Sequence, residues 1–555
     1  MINKRHILAA ACLSLAAACG QNDTPETTAP AEIPAATETV SPDPARIEAH
    51  MAYLASDDLL GREAGTPGYD EAAAYVAAQF EELGLAPAGD EGSYMQAVPL
   101  RRSYRDAEGV SLSIAGPDGA LALEENVDYI VFGSTAAEEA AIEAEAVFVG
   151  FGVVAPEEGR DDYAGLDVDG KIVVVLSGTP KNLQSEERAF YGSRKGKNAS
   201  DRGAIGVLSI ETETSRGIYP FARLVGENRA DESSMSWIGP DGETFTLAPN
   251  LQASARLSIE GAEKFFAAAG ADWSEISAAA EEETGAVAGF ALPFTVAISH
   301  KSTLDTIQSA NVAGMIEGAD PALKDEVIVL TAHLDHIGVS KTFEDDAINN
   351  GALDNAAGIA TLFEAARVIQ AGPAPRRSVM FLAVTAEEKG LLGAQYFAQN
   401  PTVPAENIVA NVNLDMPVLT YAFTDLIVFG GTRSTINDAI ETAAAELDVT
   451  LGPDPFPDQG IFTRSDHFRF VEIGVPSVML STGFANGGDA AWATHFAENY
   501  HRPSDDMDNT LDFEAAAKFA DIKARIALTL ANADERPLWR KDDFFARQFN
   551  GPMEE

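Results

Sequence analysis

Cysteine is nearly absent from this chain. Among 555 residues only Cys12 and Cys19 are cysteines. If the segment before Cys19 is removed and Cys19 is lipidated, no thiol remains to form a disulfide. Basic residues are also scarce, with 38 Lys and Arg against 86 Asp and Glu and a formal charge of −48. Such a surface repels phosphate backbones and anionic lipid, so nucleic acid is excluded as a partner, and the excess acid reads as a heavily solvated surface. No HExxH helix or GxSxG elbow is present, which leaves out the hydrolase mechanisms those motifs carry. No internal repeat appears at a solenoid or propeller period. What is plentiful is apolar residue, at 46%, which rules out wholesale disorder. At this length two domains are expected, with room for a third.

The N-terminus reads MINKRHILAAACLSLAAACG. Lys4 and Arg5 precede an apolar stretch that ends in small residues and is too short to span a bilayer permanently. Residues 1–18 are therefore expected to be a secretory signal. LAAAC, followed by Gly20, resembles the lipobox of bacterial lipoproteins, which makes Cys19 the candidate for lipidation, with plain cleavage and release as the alternative. Residues 19–45, rich in Pro, Thr, Ala and Glu, cannot build a core and read as a tether. The only membrane contact expected is that lipid anchor, and the location implied is the cell envelope.

Ile47, Met51 and Leu54 share one helical face. After the turn GREAGTPG, so do Ala73, Val76, Ala77, Phe80 and Leu83, with Gly84 as a helix stop. Short β-type runs follow, AVFVGFGVV, KIVVVLSG and GAIGVLSI, spaced by turns as in a compact unit of its own. Residues 215–290 mix acidic loops with alanine-rich helix and carry no chemical signal. Beyond about Phe294 the runs EVIVLTA, RRSVMFLAVTA, NIVANVNLD and PSVMLST read as strands buried on both faces. They alternate with helical segments such as AAGIATLFEAARVI. The expected fold class is α/β, with a mixed, mainly parallel sheet flanked by helices and a mainly β insertion. The expected boundaries are 46–130 for the N-terminal part of the main domain, 131–293 for the insertion, 294–535 for the rest of the main domain and 536–555 for a C-terminal tail.

Candidate metal ligands fall at the ends of these strands. His333 follows EVIVLTA, Glu387 and Glu388 follow VMFLAVTA, and Asp415 ends NIVANVNLD. In open α/β sheets ligands bind at that carboxyl edge. Asp354 in ALDNAAG and His501 in YHRPSDD complete the set. Each motif alone reads as a strand-end histidine, a helix cap or a turn residue. Together, in order and in one domain, they supply two imidazoles and enough carboxylates for two zinc ions plus one carboxylate left over as a base. The residues alone leave open whether Glu387 or Glu388 is that base. Asp335 in HLDH is the natural acceptor for the His333 ring N–H, and Asp505 or Asp506 for that of His501.

These motifs resemble the co-catalytic zinc aminopeptidase family, whose relatives include glutamate carboxypeptidase and the transferrin-receptor ectodomain. HMAYLASDDLLGREAGTPGYDEAAAYVAAQFEELGLAPAG resembles its opening helices. GFGVVAPEEGRDDYAGLDVDGKIVVVLSG with SDRGAIGVLSI is similar to the protease-associated domain inserted in its larger members. The resemblance implies two Zn²⁺ per chain, one held by His333 and Asp415, the other by Glu388 and His501, with Asp354 bridging them. It makes Glu387 the general base. Leu353 departs from the pattern, since many relatives carry a second Asp there. Asp466 and His467, in RSDHF, are candidates for positioning substrate or stabilising an oxyanion, and Tyr500 for touching the tetrahedral intermediate.

The function implied is an exopeptidase that removes N-terminal amino acids from peptides. A glutamate-type carboxypeptidase is the first alternative, with Arg464 and Arg194 as the candidate carboxylate-binding cations. A tethered zinc-binding or receptor protein is the second, disfavoured because it needs no non-ligand carboxylate at 387. A one-zinc cyclase is disfavoured because all five ligands are kept.

Overall fold

The computed structural model describes residues 40–116, 119–227, 233–343 and 346–555. The expected signal, Cys19 and most of the tether lie outside the described residues. Helix α1 (Pro44–Leu54) starts where the Asp43 carboxylate accepts from Ala45 N–H, with Pro44 at the first helical position. Helix α2 (Pro67–Glu82) repeats the device with Thr66 and Pro67. Their apolar stripes, Ile47, Met51 and Leu54 on α1 and Tyr69, Val76 and Phe80 on α2, are wholly or almost wholly buried. They pack with α3 (Ala357–Ala371) and α4 (Phe513–Asn532) in the largest core of the molecule.

The sheet beneath those helices contains β1 (Met95–Arg105), β2 (Phe290–Ile316), β3 (Val327–His333), β4 (Ser378–Val384), β5 (Ile408–Leu414), β6 (Asp425–Phe429) and β7 (Ser477–Thr482). Its order is β1-β2-β4-β3-β5-β7-β6, with the four central strands, β4, β3, β5 and β7, parallel. Every residue of β3, β4 and β5 is buried, as the unbroken apolar runs require when helices or loops cover both faces. The register pairs His333 with Val384 and Thr331 with Asn413. The three carboxyl ends therefore finish side by side.

Strand β2 is 27 residues long and belongs to two sheets. Ser302–Ile316 pairs with β1 and β4, whereas Phe290–Lys301 pairs antiparallel with Ser111–Gly116 and Glu139–Phe148. The second sheet continues through the parallel strands Ile172–Leu176, Gly206–Ile210 and Ala253–Leu257. The chain thus leaves the first sheet after Arg105 and returns at Ser302. Ser233–Trp237 comes back from within this stretch to pair with β1.

The segment 536–555 is folded against the body. Trp539 and Phe545 are fully buried, and Phe190 packs edge-on against Phe544, Phe545 and Phe549. Arg433 joins Glu186 to Asp543 across the same seam. No helix among the described residues is long and apolar enough to cross a membrane.

Candidate metal centre

At the end of β3, His333 points Nε2 at two carboxylates, 3.1 Å from Asp415 Oδ1 and 3.2 Å from Asp354 Oδ1. His501 Nε2 lies 3.4 Å from Asp354 Oδ2 and 3.2 Å from Glu388 Oε2. Asp354 therefore faces both imidazoles, one with each oxygen. Two donors of one tetrahedral ion with bonds of about 2.0–2.2 Å stand about 3.3–3.6 Å apart, so these spacings suit shared ions. Two compact donor groups result: His333, Asp354 and Asp415, and His336, Asp354 and Glu388. Among the described residues, none of these carboxylates has a lysine or arginine salt-bridge partner. Buried carboxylates without such cations are costly unless a metal supplies the charge, so the donor set fits divalent ions.

Loops around the centre are tied together by hydrogen bonds. The fully buried Arg62 donates to the carbonyls of Leu54, Leu334, Asn350 and Gly351, joining the loop after β3 to the loop that carries Asp354. Asp505 accepts the backbone N–H groups of Leu353 and Asp354, each at 3.0 Å. Asn355 donates to Leu414 O at 2.9 Å, anchoring the Asp354 loop to the end of β5. Ser465 Oγ donates to Asp415 Oδ2 at 2.6 Å and is itself held by Asn413.

Several sequence expectations need correction here. The Asp335 carboxylate does not reach the His333 ring. It accepts the backbone N–H groups of Glu387 and Glu388, at 3.0 and 3.3 Å, because the turn after β4 presents both amides to it. Its backbone carbonyl is what sits 3.0 Å from His333 Nδ1, leaving Nε2 for the carboxylates. Asp505 serves the backbone and not His501, while Asp506 accepts from Asp508 N–H. Asp466 and His467 are fully buried, and the cavity wall is formed by their neighbours Arg464 and Ser465. Arg194 is held by Glu472 at 2.5 Å, and does not line the cavity. Tyr500 does line it, and stacks on the His501 ring with centroids 3.8 Å apart.

The protonation landscape follows from burial and neighbouring charge. Burial, reinforced by Asp415, Asp466 and Glu388, pushes Glu387 well above the carboxylate range against the pull of His333. Burial and Asp354 work in the same direction on Glu388, but hydrogen bonds from His336 and His501 hold it down to about 2. Burial also opposes charging His501, yet Asp354 and Glu388 carry it up to about 10. Two adjacent glutamates are thus driven apart, one held as a carboxylate and the other able to carry a proton, which is the pattern of a ligand beside an acid–base group. Burial raises Asp466 to about 8 and lowers His467 to about 3, so that pair is neutral and packed behind the wall.

A cavity of about 610 Å³ opens onto Asp354, Glu387, Glu388, Asp415 and His501. Away from the donors its wall turns apolar, with Met416, Phe429, Met479, Phe484, Trp492 and Phe496.

Comparison with known proteins agrees with this geometry. Residues 311–527 match the model of Peptidase family M28. The chain is 29% identical over 243 residues to a probable leucine aminopeptidase 2 of Aspergillus oryzae, covering 40% of this chain and 45% of that protein. It is 25% identical over 392 residues to a probable glutamate carboxypeptidase VP8 of Zea mays, covering 65% and 49%. It spans about half the length of the curated relatives it matches. Among solved structures, an aminopeptidase from Aneurinibacillus sp. strain AM-1 shares the fold, with a TM-score of 0.51 at 20% identity over 93% of this chain and 98% of that one. Residues 311–527, the stretch similar to Peptidase family M28, carry every donor described above.

Proposed function

We propose that the chain is a metal-dependent exopeptidase, an aminopeptidase that releases N-terminal residues from peptides. The observation that carries this reading is Glu387. It lines the cavity beside both donor groups yet belongs to neither. A protein that only stores or presents metal has no use for such a carboxylate. His333 and Asp415 would hold one zinc, Glu388 and His501 the other, and Asp354 both. Bound there, metal ions would supply Lewis acidity for the scissile carbonyl and for a water. Glu387, buried in the cavity wall and inclined to hold a proton, would accept one from the attacking water and pass it to the leaving amine. Tyr500 stands at the cavity edge, where its hydroxyl can face a developing oxyanion.

The apolar wall supports a substrate whose first side chain is large and apolar. Arg464 is the lone guanidinium among the cavity residues, while Asp489 lies on the same wall. One exposed arginine opposed by carboxylates is a poor receptor for an acidic, free C-terminal residue, which favours the aminopeptidase over the carboxypeptidase reading. The second sheet we read as a protease-associated insertion, and residues 1–18 with Cys19 as an export and lipid-attachment signal. A panel of aminoacyl anilides and dipeptides blocked at either end, with and without chelator, tests the activity. Chelator-sensitive cleavage of leucyl and phenylalanyl anilides is expected. Cleavage that tolerates a blocked N-terminus but needs a free C-terminus would overturn the assignment.

A further inference from the structure

His336, the second histidine of HLDH, is completely buried and stands in the second donor group, yet the imidazole place on that ion was given to His501. His336 Nδ1 lies 2.8 Å from Glu388 Oε1 and 3.8 Å from Asp354 Oδ2. The first distance is shorter than the 3.1–3.4 Å separating the other imidazole–carboxylate pairs of the centre, and it is that of a charge-assisted hydrogen bond. His336 Nε2 is buried without a hydrogen-bond partner. An orphaned acceptor is less costly than an orphaned N–H, so the proton belongs on Nδ1, where it is donated to Glu388. The ring cannot swing away easily. Its backbone N–H donates to Arg62 O at 3.2 Å, and a Cβ added to Gly351 would meet the ring at 2.7 Å.

Glu388 thereby has its two oxygens assigned to different partners: Oε1 to His336, Oε2 toward His501. Resting on the two-metal reading above, we propose that His336 is a positioning residue, which by donating Nδ1–H to Glu388 Oε1 leaves that carboxylate a single oxygen for the ion it shares with His501. Without the donor, both oxygens would be free to engage the ion and fill a position that water or substrate needs. A pure packing role would demand only a ring of this size. The positioning role demands a donor at the place of Nδ1, which Asn supplies and Leu does not.

Wild type, His336→Leu and His336→Asn, each stripped of metal, would be titrated with cobalt(II) and with zinc against a competing chelator, with kcat and KM measured alongside. Wild type should take up two equivalents. In His336→Leu one equivalent should bind about 10- to 100-fold more weakly, its cobalt absorption should weaken as coordination number rises, and kcat should fall more than KM changes. His336→Asn should stay close to wild type in all three. Unchanged affinity and spectrum in His336→Leu would overturn the proposal. So would loss of one whole equivalent in both variants, since His336 would then be a ligand itself. If His336→Leu does not fold, ¹⁵N-histidine spectra of zinc-loaded wild type decide. The resonance absent from His336→Asn should show a protonated Nδ1 and a metal-free Nε2, and a metal-bound Nδ1 would contradict the idea. Failure of wild type itself to bind two equivalents would overturn the two-metal reading on which the role of His336 depends.

Discussion

Two sets of parallel strands end in this molecule, and only one ends in a metal centre. In the second sheet Ile172–Leu176, Gly206–Ile210 and Ala253–Leu257 run parallel and finish level, like β3, β4 and β5. A buried carboxylate follows Gly206–Ile210 too, Glu211, but the protein provides its partners: Arg216 at 3.1 Å and the Phe221 N–H. Beyond Ile172–Leu176 the carbonyls of Leu176 and Gly178 accept from the Lys195 ammonium. At these two strand ends of the second sheet the protein itself supplies the counter-charge or the acceptors. At the ends of β3, β4 and β5, by contrast, Asp354, Glu388 and Asp415 meet imidazoles and, at Asp415, the Ser465 hydroxyl, with no lysine or arginine ion-pair partner among the described residues. Strand topology supplies the ledge, and charge left unpaired by the chain makes the site.

That contrast can be broken most severely at Asp354. Asp354→Ala should abolish turnover and lose both metals, since one carboxylate serves both imidazoles. Retention of two equivalents in metal analysis would show that the groups are independent. A second effect belongs to the helices that cover the first sheet. His50, buried against Tyr75 and Phe363, is lowered to about 4 by burial, with Arg46 adding. The folded value lies below the unfolded one of about 6.5, so the unfolded chain takes up this proton first. The stability is complete above about pH 6.5 and lost as pH falls toward 4, by about 3 kcal/mol at most. Urea unfolding across that window should show the slope, and His50→Gln should flatten it.

Ser465→Ala should weaken metal affinity and turnover about 10- to 100-fold, because it frees Asp415 Oδ2. Competition with a chelator measures it, and an unchanged affinity would remove Ser465 from the account. Least is expected of Glu211→Gln for the chemistry: metal content and turnover unchanged, with a stability loss of about 1–3 kcal/mol from the weakened hydrogen bonds to Arg216 and Phe221. Loss of metal in that variant would show that the two sheets are not separate in function.

His333, Glu387, Glu388 and Asp415 were legible in the sequence because each interrupts or follows an apolar run, and a parallel sheet brings such ends together. Their supporting residues were not. Ser465, Arg62 and His336 act through loops whose folding depends on contacts hundreds of positions away, as with Arg62 and Asn350. Asp335 was placed on the correct ring but through the wrong atom, because the carboxylate is taken by two backbone amides. The extent of the second sheet was hidden for a similar reason. A single 27-residue strand passes from one sheet to the other with no turn at Ser302, where its neighbours change. The charges of DERPLWRKDD disguised a segment whose Trp539 is fully buried.

The central claim is that Glu387 works on the reaction and not on the metal. Glu387→Gln, prepared in parallel with wild type, should bind two equivalents of zinc with unchanged affinity while turnover of a leucyl anilide falls about 10²- to 10⁴-fold. Loss of either zinc from that variant, or turnover near that of wild type, would contradict the account.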